Sequence, residues 1–450
     1  MSFWIVETQD QLSHLPISEE CYINVIPLSP NYHPILTEVS LIYYKPKHGK
    51  GLILTINHSE GFYLSLEKVK EFLLKHELIY VLDKKTTAHL IGEEFLESKV
   101  QDINLLSLHA TQTTPYIQDC YTNIHTHFER LYGDKPYLNS IIPISKHYET
   151  QECIYNLVQQ WTEKQHEIPY YNEDYIKVFY GIEKQGITLD MPVFNENFTL
   201  QNIKFNVKED KIYTQFNLNN FTSRPSNSFN GINFAALNKN NGQRASFIPQ
   251  NDVLFEFDYD SYHPRILAKQ IGYEFTEASV HTHLGKMYFK TEELTPEQYQ
   301  ASKELTFKQL YGGVFEQYKD IPFFAKVKEY TDKIYQDFNS LGYIKLVGGR
   351  KLFAQGIENV TPQKLLNYII QSGETFYNVN SIKNVLKYLE NKKSNIILYT
   401  YDSILVDYSR EDGKEVLKEI KNLLENSFGF KVRISWGYDY DNLKKIKASE

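Results

Sequence analysis

DVLFEFDYDSYHPRILAKQIG, residues Asp252 to Gly272, opens as an alternating apolar run in which Val253, Phe255 and Phe257 mark a half-buried strand. The strand ends in Asp258. Pro264 then suits the first turn of a helix, and Arg265, Ile266, Leu267 and Ala268 are good helix formers. A carboxylate at a strand's end, where the sheet fixes the backbone and the turn exposes it, is well placed to hold a metal. On this stretch alone Asp258 reads equally well as a helix cap.

A second carboxylate in matching surroundings tips the balance. Asn395 to Tyr408, NIILYTYDSILVDY, reads as two apolar strands meeting at a tight turn of Tyr401, Asp402 and Ser403. Two aspartates on neighbouring strand ends suit two divalent ions ~4 Å apart, the arrangement that activates an attacking oxygen and steadies a leaving phosphate. The pattern points to phosphoryl transfer.

Composition sets the bounds. The chain has 450 residues, 42% of them hydrophobic, enough for two or three domains with real cores. No apolar run approaches a membrane span, and the start MSFWIVETQDQLSHLP lacks the basic and apolar regions of a secretion signal, so a protein of the cytoplasm, with no membrane partner, is expected. Cys21, Cys120 and Cys153 lack the paired spacing of a zinc site and read as reduced core residues. A net charge of -8 argues against a protein basic all over, but a local groove of Lys and Arg suffices for nucleic acid.

Along the chain, Tyr22 to Ile26, Val39 to Tyr44 and Leu52 to Ile56 read as antiparallel strands, followed by a helix around Leu66 to Leu73 and a strand at Leu78 to Leu82. Helical periodicity dominates from about His147. A helix from Asn172 to Gln185 stops at Gly186, and residues 196 to 250 are polar and weakly periodic. Thr295, Pro296 and Gln298 form a strong helix start, and on that helix Lys303, Phe307 and Tyr311 share one face until Gly312 and Gly313 end it. A cation, a flat ring and a phenol in a row fit a nucleotide laid along a helix; an ordinary amphipathic helix shows the same spacing. A basic turn with Lys345, Arg350 and Lys351 follows, then a helix carrying Asn367 and Gln371. The triplets His125 to His127 and His281 to His283 sit in helix-like sequence, where alternate residues do not share a face, so neither reads as a metal site.

Together these segments resemble the family A DNA polymerases, the group of bacterial DNA polymerase I and its phage relatives. FDYDSYHPRILA resembles the first palm motif, which implies metal binding by Asp258 and the Tyr259 backbone, a DNA contact by Arg265, and His263 at the place of a glutamate that closes against the sugar 2′ position. KELTFKQLYGG resembles the fingers-helix motif, which implies nucleotide contacts by Lys303, Phe307 and Tyr311 and a DNA contact at Gly312. LYTYDSILV resembles the third motif, with Asp402 as its catalytic aspartate. Smaller matches imply nucleotide binding by His281 and DNA binding by Arg224, Arg244, Arg350, Asn367 and Gln371.

The resemblance covers about 172 to 450 and implies an α+β multidomain chain: an RNase H-like α/β exonuclease-type domain over 1–165, then a right-hand polymerase with an antiparallel palm sheet and helical fingers over 166–450. Within it, 166–250 would hold a much reduced thumb and primer-side segments, 251–275 and 355–450 the palm, and 276–354 the fingers. Three departures stand out: Tyr299 where the family carries an arginine four residues before its lysine, Ser403 in place of a third carboxylate, and His263 itself. In the first domain Asn24 and Ile26 stand where exonuclease acids belong, so the fold is expected without the activity. The implied function is a template-directed DNA polymerase acting as a monomer with two Mg²⁺ ions (Mn²⁺ as a substitute) on primer-template DNA and deoxynucleoside triphosphates, with room for a processivity partner. A non-catalytic DNA-binding replication scaffold and a single-subunit RNA polymerase are the rivals.

Overall fold

The computed structural model describes residues 4–61, 63–133, 137–162, 171–199, 203–227, 231–239 and 241–446, which fall into two compact units. The first comprises Met1–Gly186, Phe198–Asn219 and Asn227–Ile232; the second comprises Ile187–Asn197, Asn220–Ser226 and Asn233–Glu450.

The first unit is built on a six-stranded mixed sheet in the order Trp4–Val6, Leu52–Thr55, Val39–Pro46, Glu20–Pro27, Leu78–Val81, Val100–Asp102. The three strands read from their apolar runs pair antiparallel, while Trp4–Val6, Leu78–Val81 and Val100–Asp102 join in parallel. Trp4–Val6 has three residues, too few for periodicity to reveal. One sheet face, with Tyr22, Ile26, Leu41, Tyr43 and Ile53, packs on Ile144, Ile154, Val158 and Trp161.

One expectation is corrected in this unit. Cys120 and Cys153 form a disulfide, leaving Cys21 as the free, buried cysteine. The 3₁₀ turn Gln118–Tyr121 and the helix Ile144–Val158 bring the pair together across a separation of 33 residues, which the spacing alone did not indicate. The expected boundary at residue 165 lies outside the described residues, and the unit runs on to Gly186. The helix Tyr171–Glu183 belongs here because Glu183, fully buried, takes Lys85 Nζ at 2.5 Å, His89 Nε2 at 2.7 Å and the Phe216 N–H at 2.5 Å.

The second unit has a five-stranded antiparallel sheet in the order Asn395–Tyr399, Ser403–Tyr408, Val253–Tyr259, Val432–Gly437, Lys444–Lys445. The stretch at Asp252 therefore supplies the central strand. It feeds the helix Tyr262–Gln270, which contacts the 28-residue helix Pro362–Leu389. A large core joins Leu267, Leu284, Leu310, Phe323, Phe324, Phe338 and Leu366, so the helices Val280–Phe289, Pro296–Gly312 and Pro322–Leu341 pack around the start of the long helix. Between Asp190 and Arg224 the described residues hold a seven-residue helix, Met191–Asn197, and a hairpin of two-residue strands, with no long helix among them.

Candidate active site

Two turns bring the aspartates together. Asp258 is the cross-strand partner of Ser403 on one side and of Arg433 on the other. The Tyr259 N–H donates to the Asp402 carbonyl at 2.9 Å, so one backbone bond ties the two carboxylate-bearing segments. Tyr401 adopts a left-handed backbone with φ +70°, costly for an aromatic residue, and Ser261, three residues after Asp258, has φ +52°. The first is held from both sides: Asn378 Nδ2 donates to the Tyr401 carbonyl at 2.6 Å, and the Arg224 guanidinium lies 3.6 Å from the centre of its ring.

Asp258 is half-buried and Asp402 opens to solvent at the turn. Burial, then Asp402 and Glu256, push the Asp258 carboxyl up to about 7. Desolvation by the surrounding protein, then Glu374, raise Asp402 as well. Carboxylates that repel one another in this way favour a bound cation. Among the described residues no group of three or more His, Cys, Asp or Glu side chains stands ready to hold a metal. Asp258 and Asp402 offer two carboxylates, a hard-oxygen donor set that fits a divalent cation completed by waters and substrate oxygens. Ser403, in place of a third acid, contacts Thr400 Oγ1 at 2.7 Å and Glu256 Oε1 at 3.5 Å.

The helix Pro296–Gly312 starts as its sequence indicates: Thr295 and Gln298 form a reciprocal capping box, and Gly313 ends it at φ +101°. Lys303 and Tyr311 are exposed and Phe307 half-buried on one face. The rings of Phe307 and Tyr311 lie nearly parallel, 6.0 Å apart. His281 is 4% exposed, with its ring 5.8 Å from Phe307 and 6.0 Å from Tyr299. Burial, then Lys303, lower its pKa to about 4, so it is neutral near pH 7, and its buried Nδ1 has no partner among the described residues. Both His triplets lie in helices, in Thr122–Tyr132 and Val280–Phe289.

One residue here went unread in the sequence. Glu374, fully buried, pairs with Arg224 Nε at 2.7 Å and His263 Nε2 at 2.9 Å, while His263 Nδ1 is hydrogen-bonded to the Tyr311 hydroxyl. Burial works against the charge, yet His263 and Arg224 hold the Glu374 carboxyl below the usual range. An unbroken chain of polar contacts thus runs from Arg224 through Glu374 and His263 to Tyr311. The clue in the sequence was that Glu374 is the only acid in the helix Pro362–Leu389, between Gly373 and Thr375. Asn378, one turn on, donates to the Tyr399 hydroxyl at 2.9 Å and accepts from that of Tyr262 at 2.8 Å.

The residues expected to touch DNA divide into two groups. Arg244 and Arg350 are 7% and 3% exposed. Arg244 donates to the Leu237 carbonyl at 2.9 Å and stacks on Tyr440, and Arg350 donates to Ser223 Oγ at 2.7 Å, so both brace the framework from inside. Arg224 is likewise committed to Glu374 and Tyr401, with a quarter of its side chain exposed. Arg265 holds Asp260 at 3.1 Å and the Ala278 carbonyl at 2.8 Å. Asn367 and Gln371 are half-buried and one turn apart, Asn367 Oδ1 having no hydrogen-bond partner among the described residues. Gly312 is exposed at the helix end, with open space where a Cβ would stand.

No protein-family model matches the chain, and no curated protein matches it. Among solved structures it is similar to the POL domain of Pol1 from M. smegmatis in complex with DNA primer-template and dNTP, with a TM-score of 0.71 over 97% of this chain and 98% of that one, at 15% identity. The chain therefore has the fold of a DNA polymerase domain.

Proposed function

We propose that this chain is a template-directed DNA polymerase of the DNA polymerase I type, which extends a primer 3′-hydroxyl with deoxynucleotides. The observation that carries the reading is the meeting of the Asp258 and Asp402 segments, tied by the Tyr259 N–H to the Asp402 carbonyl, with His263, which acts electrostatically on Asp402, hydrogen-bonded to Tyr311 on the helix that bears Lys303 and Phe307. The fold shared with a polymerase domain solved with primer-template and dNTP supports it.

The primer oxygen would form a bond to the α-phosphorus while the bond to the β-phosphate breaks and pyrophosphate leaves. Two Mg²⁺ ions, or Mn²⁺ in their place, held by Asp258, Asp402 and the Tyr259 main chain, would supply the positive charge that attack and departure require. The protein's own part is positioning and electrostatics. Lys303 is exposed for a charge-assisted contact to phosphate, and neutral His281 can offer a hydrogen bond in place of a charge. Phe307 and Tyr311 present ring faces to a base, and His263 sits where a sugar edge would pass. Arg265, Gly312, Asn367 and Gln371 would face primer-template.

The first unit is read as an exonuclease-like fold without hydrolysis. Where an acid would be needed the Asn24 amide donates to Gln151 at 2.7 Å, and the Glu152 carboxylate is already taken by the Tyr43 hydroxyl, which donates to it at 2.5 Å. Neither pairing leaves a cluster of free carboxylates for two metals.

A single gel tests these readings. A labelled primer-template is incubated with Mg²⁺ and four deoxynucleotides, four ribonucleotides, or none. Extension with deoxynucleotides, little with ribonucleotides, and an intact primer without nucleotides are expected. No extension in either nucleotide lane would favour the scaffold, and preferential use of ribonucleotides the RNA polymerase.

A further inference from the structure

The positive charge on the helix Pro296–Gly312 is thinner than the site calls for. Lys303 is exposed on the face shared with Phe307 and Tyr311, while one turn before it Tyr299 packs edge-on against His281. A second source of charge comes from the sheet. Arg433, in the strand Val432–Gly437, lies directly opposite Asp258, and cross-strand partners project from the same sheet face.

Among the described residues its guanidinium has one ion-pair partner. Arg433 Nη2 pairs with Asp260 Oδ1, while Asp260 Oδ2 takes Arg265 Nη2 at 3.1 Å. Asp260 is 6% exposed, whereas 46% of the Arg433 side chain is open to solvent. Lys303, Asp260, Arg433 and Arg265 all act electrostatically on the His281 ring. Two arginines thus share the single carboxylate of Asp260, and Arg433 also acts on Asp258 across the strand pair. An exposed, pre-oriented guanidinium fork with spare donors suits phosphate oxygens.

We infer that Arg433 is a phosphate-binding residue, which contacts the β- and γ-phosphates of the incoming deoxynucleoside triphosphate from the sheet side, opposite Lys303. The inference rests on the polymerase reading for the identity of the ligand. It makes Arg433 the partner of the departing pyrophosphate, fixed to Asp260 before any nucleotide arrives.

Equilibrium binding tests it independently of turnover. The dissociation constants of a ribose-labelled deoxynucleoside triphosphate and of the matching monophosphate are measured for the full chain with primer-template, in the wild type, Arg433→Ala, Arg433→Lys, and the double variant Arg433→Ala with Tyr299→Arg. Loss of a charge-assisted contact should weaken triphosphate binding roughly ten- to hundredfold in Arg433→Ala and leave the monophosphate within about twofold. Arg433→Lys should recover part of the loss. The double variant, with a cation returned to the helix, should recover more than half of it on a logarithmic scale, which repair of a merely structural defect would not do. Triphosphate binding within twofold of wild type in Arg433→Ala, equal losses for both ligands, or no rescue by either basic substitution would overturn the assignment. If the wild type extends no primer yet shows this Arg433-dependent preference, the polymerase reading fails and the phosphate site stands. If it binds no triphosphate, both fall.

Discussion

Asp258 and Asp402 carry charge that their surroundings resist, and a neutral amide in either place would relieve the repulsion while losing the affinity for a cation. Asp258→Asn and Asp402→Asn should each lower single-nucleotide incorporation by about a thousandfold or more, with primer-template affinity unchanged within a few-fold. Rapid-quench incorporation beside a filter-binding titration checks this, and substantial extension by either variant would refute the role. Glu374 poses a different problem, since its removal strands Arg224 and His263 without their counter-charge. Glu374→Ala should cost about 3 kcal/mol of stability in urea titration. The same carboxylate changes what His263 substitutions can do. An acid at 263 was expected to strengthen exclusion of ribonucleotides, but with Glu374 2.9 Å from the imidazole, His263→Glu alone sets two carboxylates against each other. Improved discrimination in ribonucleotide competition is therefore expected only when Glu374→Gln accompanies it, and equal discrimination by the wild type and the double variant would reject the gate.

The helix Pro296–Gly312 is self-contained in sequence, with its cap, its stop and its working face all within eighteen residues of Thr295. That is why Lys303, Phe307 and Tyr311 could be aligned before any tertiary contact was known. Lys303→Ala should raise the KM for nucleotide and lower the rate, together roughly ten- to hundredfold in kcat/KM, because a charge-assisted phosphate contact strengthens as negative charge builds. Lys303→Arg should restore part of it, since the fork geometry differs. Steady-state kinetics decides, and normal kinetics in the alanine variant would mean that the face serves packing. The described residues from Asp190 to Arg224 show no such element: the short helix and hairpin offer few places to track a duplex. Synthesis should be distributive, roughly ten nucleotides or fewer per binding event with a trap for free enzyme, and the salt slope of binding should be shallow. Long products from the chain alone under trap conditions would contradict this, and a processivity partner is the proposed remedy.

Across the whole chain, stability should depend on pH through histidines buried in the neutral form. Burial lowers His33 and His147 from the model-compound value of 6.5 to about 4. Above pH 6.5 neither state carries the proton, and the full stability is present. Below it the unfolded chain takes up protons that the folded chain refuses, so stability falls as pH drops towards about 4, with a slope approaching roughly two protons from this pair. The Asp258 carboxyl, pushed up to about 7, titrates with the opposite sign over this range, so the histidine contribution is read as a difference: from pH 7.5 to 4.5 the wild type should lose more melting temperature than His147→Asn does. Identical pH dependence of melting in the two proteins would show that the His147 ring is hydrated in the folded state.

Local pattern sufficed wherever the relevant information is short-range. The strand ending in Asp258, the turn at Asp402 and the capped helix with Lys303 follow from alternation, turn residues and spacing. Periodicity reports which face of an element is covered but not what covers it, and the remainder depended on that. Glu374 meets His263 and Arg224 across 111 and 150 residues of chain. Arg433 faces Asp258 only through strand register, and Cys120 reaches Cys153 only because two helical segments dock. Arg244 and Arg350 carry the same charge in sequence as any groove-lining arginine, and burial alone turned them inward. Residue type and local period determined where the two aspartates and the capped helix stand along the chain; the packing of distant segments decided which charges meet, and hence which stay open to solvent.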